Sequence, residues 1–356
     1  MLLGKVFKNI NQKYKSIKFK EIKFNSKECT YNDIFFAIIG NNSNGNNYIN
    51  DAINNGAKII ISNLKFQGFD KNKILFIHSK DPRESLAQAA SSIYLKKPKN
   101  IIAVTGTNGK TSIANFYYQI LTLNNKKSAT IGTLGVLSKK LNLITNNTTV
   151  DPINIHKILK KLHELNVNDV ILEASSHGLK QHRLNYINFK SALFTNLSRD
   201  HLDYHKKFED YFNSKMILFN RLLKKRGNII FDDEIAQATQ LNKISKKRKL
   251  KKYTYGKDKS FIKILNVQKI DNKKKIDFLF NKKAYSFQTE LIGEIQIKNL
   301  LFAIVAAYLS KIPIKNILKS IHKVKPISGR LEKIGKIKNK SNVILDYAHT
   351  PEALKT

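Results

Sequence analysis

The chain is poor in the residues that staple or stiffen a fold: among 356 residues it has one cysteine, six prolines and no tryptophan. A single thiol, Cys29, excludes a disulfide framework. Long apolar runs are also missing. The longest strongly apolar one, LLFAIVAAYL at 300–309, has lysines on both sides and is too short to cross a bilayer. The opening MLLGKVFKNINQKYKSIKFK is interrupted by lysines before a signal core can form. These absences lead us to expect a cytoplasmic chain with no membrane span. Acidic residues are scarce as well, 26 Asp and Glu against 64 Lys and Arg, for a formal charge of +38.

That charge would ordinarily suggest a nucleic-acid partner. The lysines, however, are spread along the whole chain among abundant Asn and Ile, and basic residues do not alternate with clustered aromatics. We therefore expect no nucleic-acid partner, and a basic nucleic-acid-binding protein with a phosphate loop stays as an alternative that predicts salt-sensitive binding. Only KKRKLKK at 246–252 is a true cluster, and it reads as a solvated loop or an edge strand. The diffuse positive field should attract anionic substrates such as nucleotides.

At 42% hydrophobic content each of two or three domains can have a core. DIFFAIIG, a helical DAINNGA with Gly56 as a cap, and KIIISN form a small α/β unit. A helix starts at Asp81 with Pro82 in its first turn and is broken by Pro98, which sets a first domain at 1–98. Strands IIAVTG, NDVILEAS, SALFTNLS and GNIIFDD alternate with the helical segments SIANFYYQILTLN, NIHKILKKLHELN and FEDYFNSKMILFNRLL. This is the pattern of a mostly parallel sheet with helices on both faces. Short strands over 250–292 should extend it, and two helices, QIKNLLFAIVAAYLS and IKNILKSIHKV, should close a second domain at 99–326. A last segment, 327–356, contains NVILDYAH, read as a buried strand, then PEALKT, read as the first turn of a helix.

The chemistry starts at NIIAVTGTNGKTS, residues 100–112. A strand running through Gly106, Thr107, Asn108 and Gly109 into a helix at Lys110, Thr111 and Ser112 aims backbone N–H groups and a helix N-terminus at an anion. Lys110 would neutralise phosphates, and the Thr111 hydroxyl would hold Mg²⁺. The strict motif wants glycine where Val104 stands, so an ordinary turn and helix cap remains the plain alternative; the strand before and the helix after favour ATP. Glu173, where the apolar strand NDVILEAS turns polar, is a hard oxygen ligand at the carboxyl end of a strand. His177, His182, His201 and His205 fall close to it in sequence with Asp200 and Asp203 among them. DHLDYH alone could be a zinc set or chance clustering; two converging strand ends beside a phosphate loop favour magnesium and phosphate.

The ordered motifs GTNGKT, EASSHGLKQHR, TNLSRDHLDYH, SGRLE and DYAHTPEAL resemble the Mur ligases of peptidoglycan synthesis. SSHGL, the following HR and SRDHLDYH are similar to the branch that extends UDP-N-acetylmuramoyl-L-alanyl-D-glutamate by a third residue. Sister ligases share the phosphate loop but would not be expected to carry both of those motifs. The resemblance covers essentially the whole chain and implies a uridine-binding first domain, an ATP-binding central domain and the start of a Rossmann-like third domain. It also implies ATP-dependent amide formation between a UDP-sugar peptide and a free amino acid, lysine or diaminopimelate, through an acyl phosphate; the sequence leaves the oligomeric state open, and a monomer is the favoured expectation.

By the same resemblance Lys110, His201 and Lys215 are catalytic. Thr111, Glu173, His201 and Lys215, the last as a CO₂ carbamate, would ligate two Mg²⁺ ions. Asn299, Arg330 and Asp346 would lie on the ATP side, with His349 in the same motif. Ser26, Thr148, Thr149, Asp151, Ser175, Gln181 and Arg183 would hold the UDP-sugar peptide. Asn25-Ser26-Lys27 departs from the family's Asp-Ser-Arg, and Ile295-Gln296 from its Phe-Asn. The family's third domain closes over ATP and carries an Asp-Asn-Pro-Arg motif that is not found here. The expectation is therefore an incomplete chain, with an inactive nucleotide-binding piece of such a ligase as the alternative reading.

Overall fold

The computed structural model describes residues 1–41, 43–201, 203–271, 273–337, 341–348 and 354. The fold is α/β and divides into two compact units. The first comprises Met1–Lys97, Val150–Lys161 and Gln181–Ile187; the second comprises Pro98–Thr149, Leu162–Lys180 and Asn188–Thr356.

In the first unit α1 (Leu3–Val6), α2 (Ile49–Asn54) and α3 (Pro82–Ile93) accompany strands β1 (Ile22–Lys23), β2 (Ile34–Phe36), β3 (Ile59–Ser62), β4 (Gly68–Phe69) and β5 (Leu75–His78). The sheet order is β1-β2-β3-β5-β4, parallel except for β4. Alternation along strands covered on both faces explains why β2 and the first three residues of β3 are apolar. Ile34, Phe36, Ile59 and Ile61 pack with Leu86 and Ala90 of α3, while Phe35 and Ile60 point the other way, toward Ala52 of α2. Asp81 caps α3 by accepting from the Arg83 and Glu84 amides at 2.9 and 3.2 Å, with Pro82 in the first turn.

The second unit holds an eleven-stranded sheet. Its elements run β6 (Asn100–Thr105), α4 (Lys110–Leu123), β7 (Ser128–Gly132), β8 (Gly135–Ser138), β9 (Asn142–Leu143), α5 (Pro152–Glu164, in the first unit through Lys161), β10 (Asp169–Glu173), α6 (Ser176–Lys180) and β11 (Phe189–Phe194). There follow α7 (Phe208–Ile217), a π-helical turn at Leu218–Leu222, β12 (Leu223–Asp232), α8 (Ala238–Arg248), β13 (Lys251–Tyr255), β14 (Ile262–Ile270), β15 (Lys273–Phe280) and β16 (Lys283–Thr289). Then come α9 (Glu294–Leu309) and α10 (Ile314–Ile321), and a separate antiparallel pair, β17 (Glu332–Lys336) and β18 (Asn342–Leu345).

Strands β13-β12-β11-β6-β10-β7 are parallel and form the middle of the sheet, with antiparallel strands at both edges. From β6 the chain passes through α4 to β7 on one side, whereas β11 pairs with β6 on the other. The carboxyl end of β6 is thus a switch point, where open sheets of this kind hold ligands. Ile102 and Val104 of β6 pack with Ile113, Phe116, Tyr117 and Ile120 of α4 and with the apolar α9, which is buried on nearly all sides.

Three readings of the sequence change. NVILDYAH is not a buried strand: β18 pairs only with β17 and is mostly exposed, because no second layer covers that pair among the described residues. KKRKLKK is neither a loop nor an edge: its first half ends α8, and its second half opens β13, an interior strand beside β12. Cations suit the last turn of a helix, where carbonyls lack partners, so the run continues regular structure. The strands β7 to β9 went unread, since Ser128–Gly132 is short and its hairpin shows little alternation. PEALKT lies outside the described residues except for Leu354.

Candidate active site

The phosphate loop spans Gly106–Gly109, with Val104 remaining inside β6, wholly buried in the core. This accounts for the absent first glycine: the loop leaves the strand later than the strict motif requires. Gly106 sits at φ +147°, where an added Cβ would be 1.8 Å from Thr195 Oγ1. Gly109 sits at φ +83°, and its Cβ would be 2.6 Å from Asn299 Oδ1. Both positions require glycine for conformation and for space.

Neighbouring strand ends hold the loop rigid. Thr107 N donates to Asn196 O at 3.0 Å, Asn108 N to Asn196 Oδ1 at 2.9 Å, and Thr195 Oγ1 to Asn108 O at 2.6 Å. The Thr107 hydroxyl lies 3.0 Å from Tyr211 Oη and accepts from Ser198 N. With the Thr107 and Asn108 amides taken up by Asn196, the N-terminus of α4 makes the cradle for an anion.

Two ammonium groups converge below this cradle. Lys110 Nζ donates to Gly106 O and Thr107 O at 2.9 and 2.7 Å, and Lys215 Nζ donates to the same Gly106 O at 2.8 Å. Lys215 is wholly buried on α7, with its Nζ 4.2 Å from the centre of the Tyr211 ring one turn earlier. Burial pushes its pKa well below the ordinary lysine value; the Lys110 charge pushes the same way, and Asp200 opposes. Burial also lowers Lys110, with Glu173 and Asp200 opposing. Lys110 keeps part of its surface in the cleft, but its ammonium is folded onto the two carbonyls and desolvated.

Opposite the lysines, Glu173 is 1% exposed at the end of β10. Its Oε2 accepts from Thr111 Oγ1 at 2.8 Å and from Thr133 Oγ1 at 3.1 Å, and its Oε1 accepts from Thr133 N at 2.9 Å. Thr133 Oγ1 is also 3.1 Å from Thr148 Oγ1, and Thr149 Oγ1 donates to Glu173 O. A cleft of about 230 Å³ is lined by these groups together with Ser112, Asp200 and His201. Asn299, Arg330 and Asp346 complete its far wall. Gln296 Nε2 donates to Arg330 O at 3.3 Å, the Arg330 guanidinium lies 4.7 Å from the Tyr347 ring centre, and Asp346 Oδ2 accepts from Leu331 N. His201, at φ +53°, has Nε2 3.4 Å from Asp200 Oδ2, and burial lowers its pKa against that neighbour's attraction.

Would a divalent cation fit? A hydroxyl and a carboxylate oxygen already meet at Thr111 and Glu173. Among the described residues no group of three or more His, Cys, Asp or Glu side chains could hold a metal. A cation there needs further oxygens from outside the chain. This suits Mg²⁺ carried with phosphate, which uses one or two carboxylates and keeps waters; it does not suit zinc in a closed site.

The structure thus gathers Gly106 to Ser112, Thr148, Glu173, His201, Lys215, Asn299, Arg330 and Asp346 in and around one cleft of the second unit. Thr149 and Ser175 adjoin it, the Ser175 amide donating to Thr149 Oγ1 at 3.0 Å. Ser26, Asp151, Gln181 and Arg183 belong to the first unit. There Ser26 is buried in a short 3₁₀ turn, Asp151 caps α5 through the Asn154 amide at 3.0 Å, and Gln181 Oε1 accepts from Arg183 Nε and Nη2. His349 lies outside the described residues. Sequence reasoning missed Thr133, Tyr211 and Tyr347. Thr133 directly follows β7, so placing that strand would have exposed it. Tyr211 precedes Lys215 by four residues, one helical turn.

The Mur ligase middle domain matches residues 104–307. The UDP-N-acetylmuramoyl-L-alanyl-D-glutamate--2,6-diaminopimelate ligase of Rickettsia typhi is 38% identical over 353 residues, 98% of this chain and 70% of its own length. That of Rickettsia montanensis is 36% identical over 351 residues, 98% and 72%. A solved structure of a ligase with the same name superposes with a TM-score of 0.84 at 25% identity, over 99% of this chain and 72% of that one. With its phosphate loop at the switch point of the central sheet and relatives matching nearly its whole length, the chain belongs to the Mur ligase family.

Proposed function

We propose that this chain is an ATP-dependent amide ligase that joins 2,6-diaminopimelate to UDP-N-acetylmuramoyl-L-alanyl-D-glutamate in the cytoplasm. The relatives' substrate narrows the sequence-level choice between lysine and diaminopimelate. The observation that carries the reading is the convergence on one cleft of a phosphate loop, the two lysines Lys110 and Lys215 on the Gly106 carbonyl, and the Thr111–Glu173 oxygen pair. A carboxylate resists an amine because it is negative and its oxygen leaves poorly. The ligase first moves the γ-phosphoryl group of ATP onto a glutamyl carboxylate oxygen, breaking the bond to ADP. The amine nitrogen then attacks the acyl carbon, phosphate leaves, and the amine loses a proton.

Phosphoryl transfer between anions depends on positioning and charge neutralisation more than on covalent help. In this reading the amides at the N-terminus of α4 orient the phosphates and Lys110 swings from the Gly106 and Thr107 carbonyls onto them. Thr111 and Glu173 would hold Mg²⁺, which when bound neutralises charge on the phosphate oxygens. His201 borders the same cleft, although imidazole is a soft partner for so hard an ion. Burial of Lys215 works against its cation and so favours the amine, the form with a free lone pair. Addition of that nitrogen to CO₂ with loss of a proton would turn it into an oxygen-bearing anion suited to a second Mg²⁺. Asn299, Arg330 and Asp346 would hold the nucleoside end. Ser26, Thr148, Thr149, Asp151, Ser175, Gln181 and Arg183 would hold the UDP-sugar peptide.

The test is incubation of the chain with ATP, Mg²⁺, the UDP-sugar dipeptide labelled with ¹⁸O in its glutamyl carboxylates, and diaminopimelate. Expected are ADP release that needs both the dipeptide and the amine, a product heavier by one diaminopimelate less water, and ¹⁸O in the released phosphate. Unlabelled phosphate alongside product would refute the acyl-phosphate step. Nucleotide binding without ligation would refute the catalytic reading and leave a nucleotide-binding protein.

A further inference from the structure

A second basic concavity in the same unit shares no residue with the cleft. Between β11 and β12 the register slips: Leu223 pairs with Phe189, but Asn228 pairs with Ser191. Residues 224–227, opposite Lys190 alone, bulge out of the ladder, with Arg226 in the left-handed region at φ +59°. That conformation is uncommon for a residue of this kind, and bulges serve to re-aim side chains. Lys225 and Arg226 on this bulge face the last turns of α8, where Gln240, Lys243 and Lys247 form one stripe at three- and four-residue spacing. Lys249 follows in a left-handed helix cap at φ +54°. The groove they line has a volume of about 890 Å³, and no acidic side chain is among its walls. Lys225, Arg226, Lys243, Lys247 and Lys249 are exposed, and among the described residues none of them forms an ion pair. Arg248 beneath them is half-buried and donates from its guanidinium to Phe219 O.

Five unpaired cations from two segments around one hollow repel each other, and an anion is what relieves them. Helix-dipole compensation accounts for the charges on α8 but not for Lys225 and Arg226, which come from the strand. The hollow selects among anions. It is concave, whereas an anionic membrane presents a plane, and no aromatic side chain lines it to stack on nucleic-acid bases. We propose that this groove is a second anion site, distinct from the phosphate-loop cleft, which binds an oligophosphate chain, the lysines and Arg226 contacting successive phosphates.

The experiment is calorimetric titration of the whole chain carrying Lys110→Ala, so that the phosphate-loop cleft is disabled, with inorganic triphosphate at low and moderate salt. We expect one binding event that weakens with salt and becomes at least tenfold weaker in Lys243→Gln/Lys247→Gln. It should change less than twofold in a control pair of equal charge loss, Lys139→Gln/Lys140→Gln. All four side chains are exposed, so folding is preserved. Titration with ATP then separates the sources. ATP and triphosphate binding alike means a site for free or nucleotide-borne phosphate chains, and ATP binding only weakly means free oligophosphate. Equal weakening in both lysine pairs would show only the general field of a +38 chain and overturn the proposal. So would the absence of triphosphate binding, or binding only to phosphatidylglycerol vesicles or an oligonucleotide.

Discussion

Gly132→Ala tests the cleft at its tightest point. Gly132 ends β7 with an ordinary backbone conformation, so alanine costs nothing in φ; the obstacle is Glu173. A Cβ there would be 2.0 Å from Glu173 Oε1, 2.4 Å from Cδ and 2.6 Å from Cγ, where ordinary contact begins near 3.4 Å. The carboxylate has to retreat by roughly 1.4 Å, which breaks its bonds from Thr111 Oγ1 and Thr133 N. Overpacking of this kind costs about 1–3 kcal/mol of stability, and a misplacement of about 1 Å in a catalytic group lowers turnover about 100-fold. The assay pairs urea unfolding with ATP affinity measured with and without Mg²⁺. The variant should lose the Mg²⁺-dependent part of ATP binding, keep the Mg²⁺-independent part, and lose stability in the stated range. A double-mutant cycle isolates the cause: with Glu173→Ala already present, Gly132→Ala should cost almost nothing. If Gly132→Ala costs as much without the carboxylate as with it, or leaves the Mg²⁺ dependence intact, the assignment of Glu173 as the cation's oxygen is wrong.

Lys215→Met removes an amine that burial disfavours as a cation, so the empty protein should gain about 1–4 kcal/mol while ligation is lost. The sign follows from linkage. A lysine lowered in the folded state leaves the unfolded chain holding more protons, so stability falls as pH drops below the ordinary lysine value, and that slope should be shallower in the variant. His156 is wholly buried, and burial holds its pKa near about 3 against an ordinary 6.5. The protein should therefore lose stability as pH falls from about 6.5 toward 3, by up to about 1.4 kcal/mol per pH unit. His156→Gln should flatten acid unfolding followed by circular dichroism. Asp81→Ala removes the α3 cap and should lower the unfolding free energy measured in urea by about 1 kcal/mol, with Asp81→Asn restoring most of it.

Local signals carried much of the fold to the reader of the sequence. The Asp81-Pro82 start of α3, the apolar β6 before GTNGKT, and the βαβ alternation all rest on neighbours within a turn or a strand. Tertiary consequences were less legible. Lys215 looks like any other lysine of the chain; what distinguishes it is an amine on the carbonyl of Gly106, more than a hundred residues earlier, so a family resemblance had to point to it. β18 is as apolar as a core strand, yet apolar sequence alone does not supply the layer that buries it. Thr133 was hidden behind an unread strand, and the basic groove behind a bulge that sequence periodicity does not encode.

The position of β6 has a consequence for how the molecule comes into being. Its partners β10 and β11 lie far downstream, Asn100 pairing with Asp169 and Ile102 with Ser191. Pairings of such long sequence separation close slowly, because the loop entropy is lost before contacts form. During synthesis the phosphate loop therefore cannot be held by Asn196 until both later strands have emerged. Nucleotide, which needs the finished loop, should slow unfolding and leave the refolding rates unchanged, as stopped-flow fluorescence with and without ATP would show.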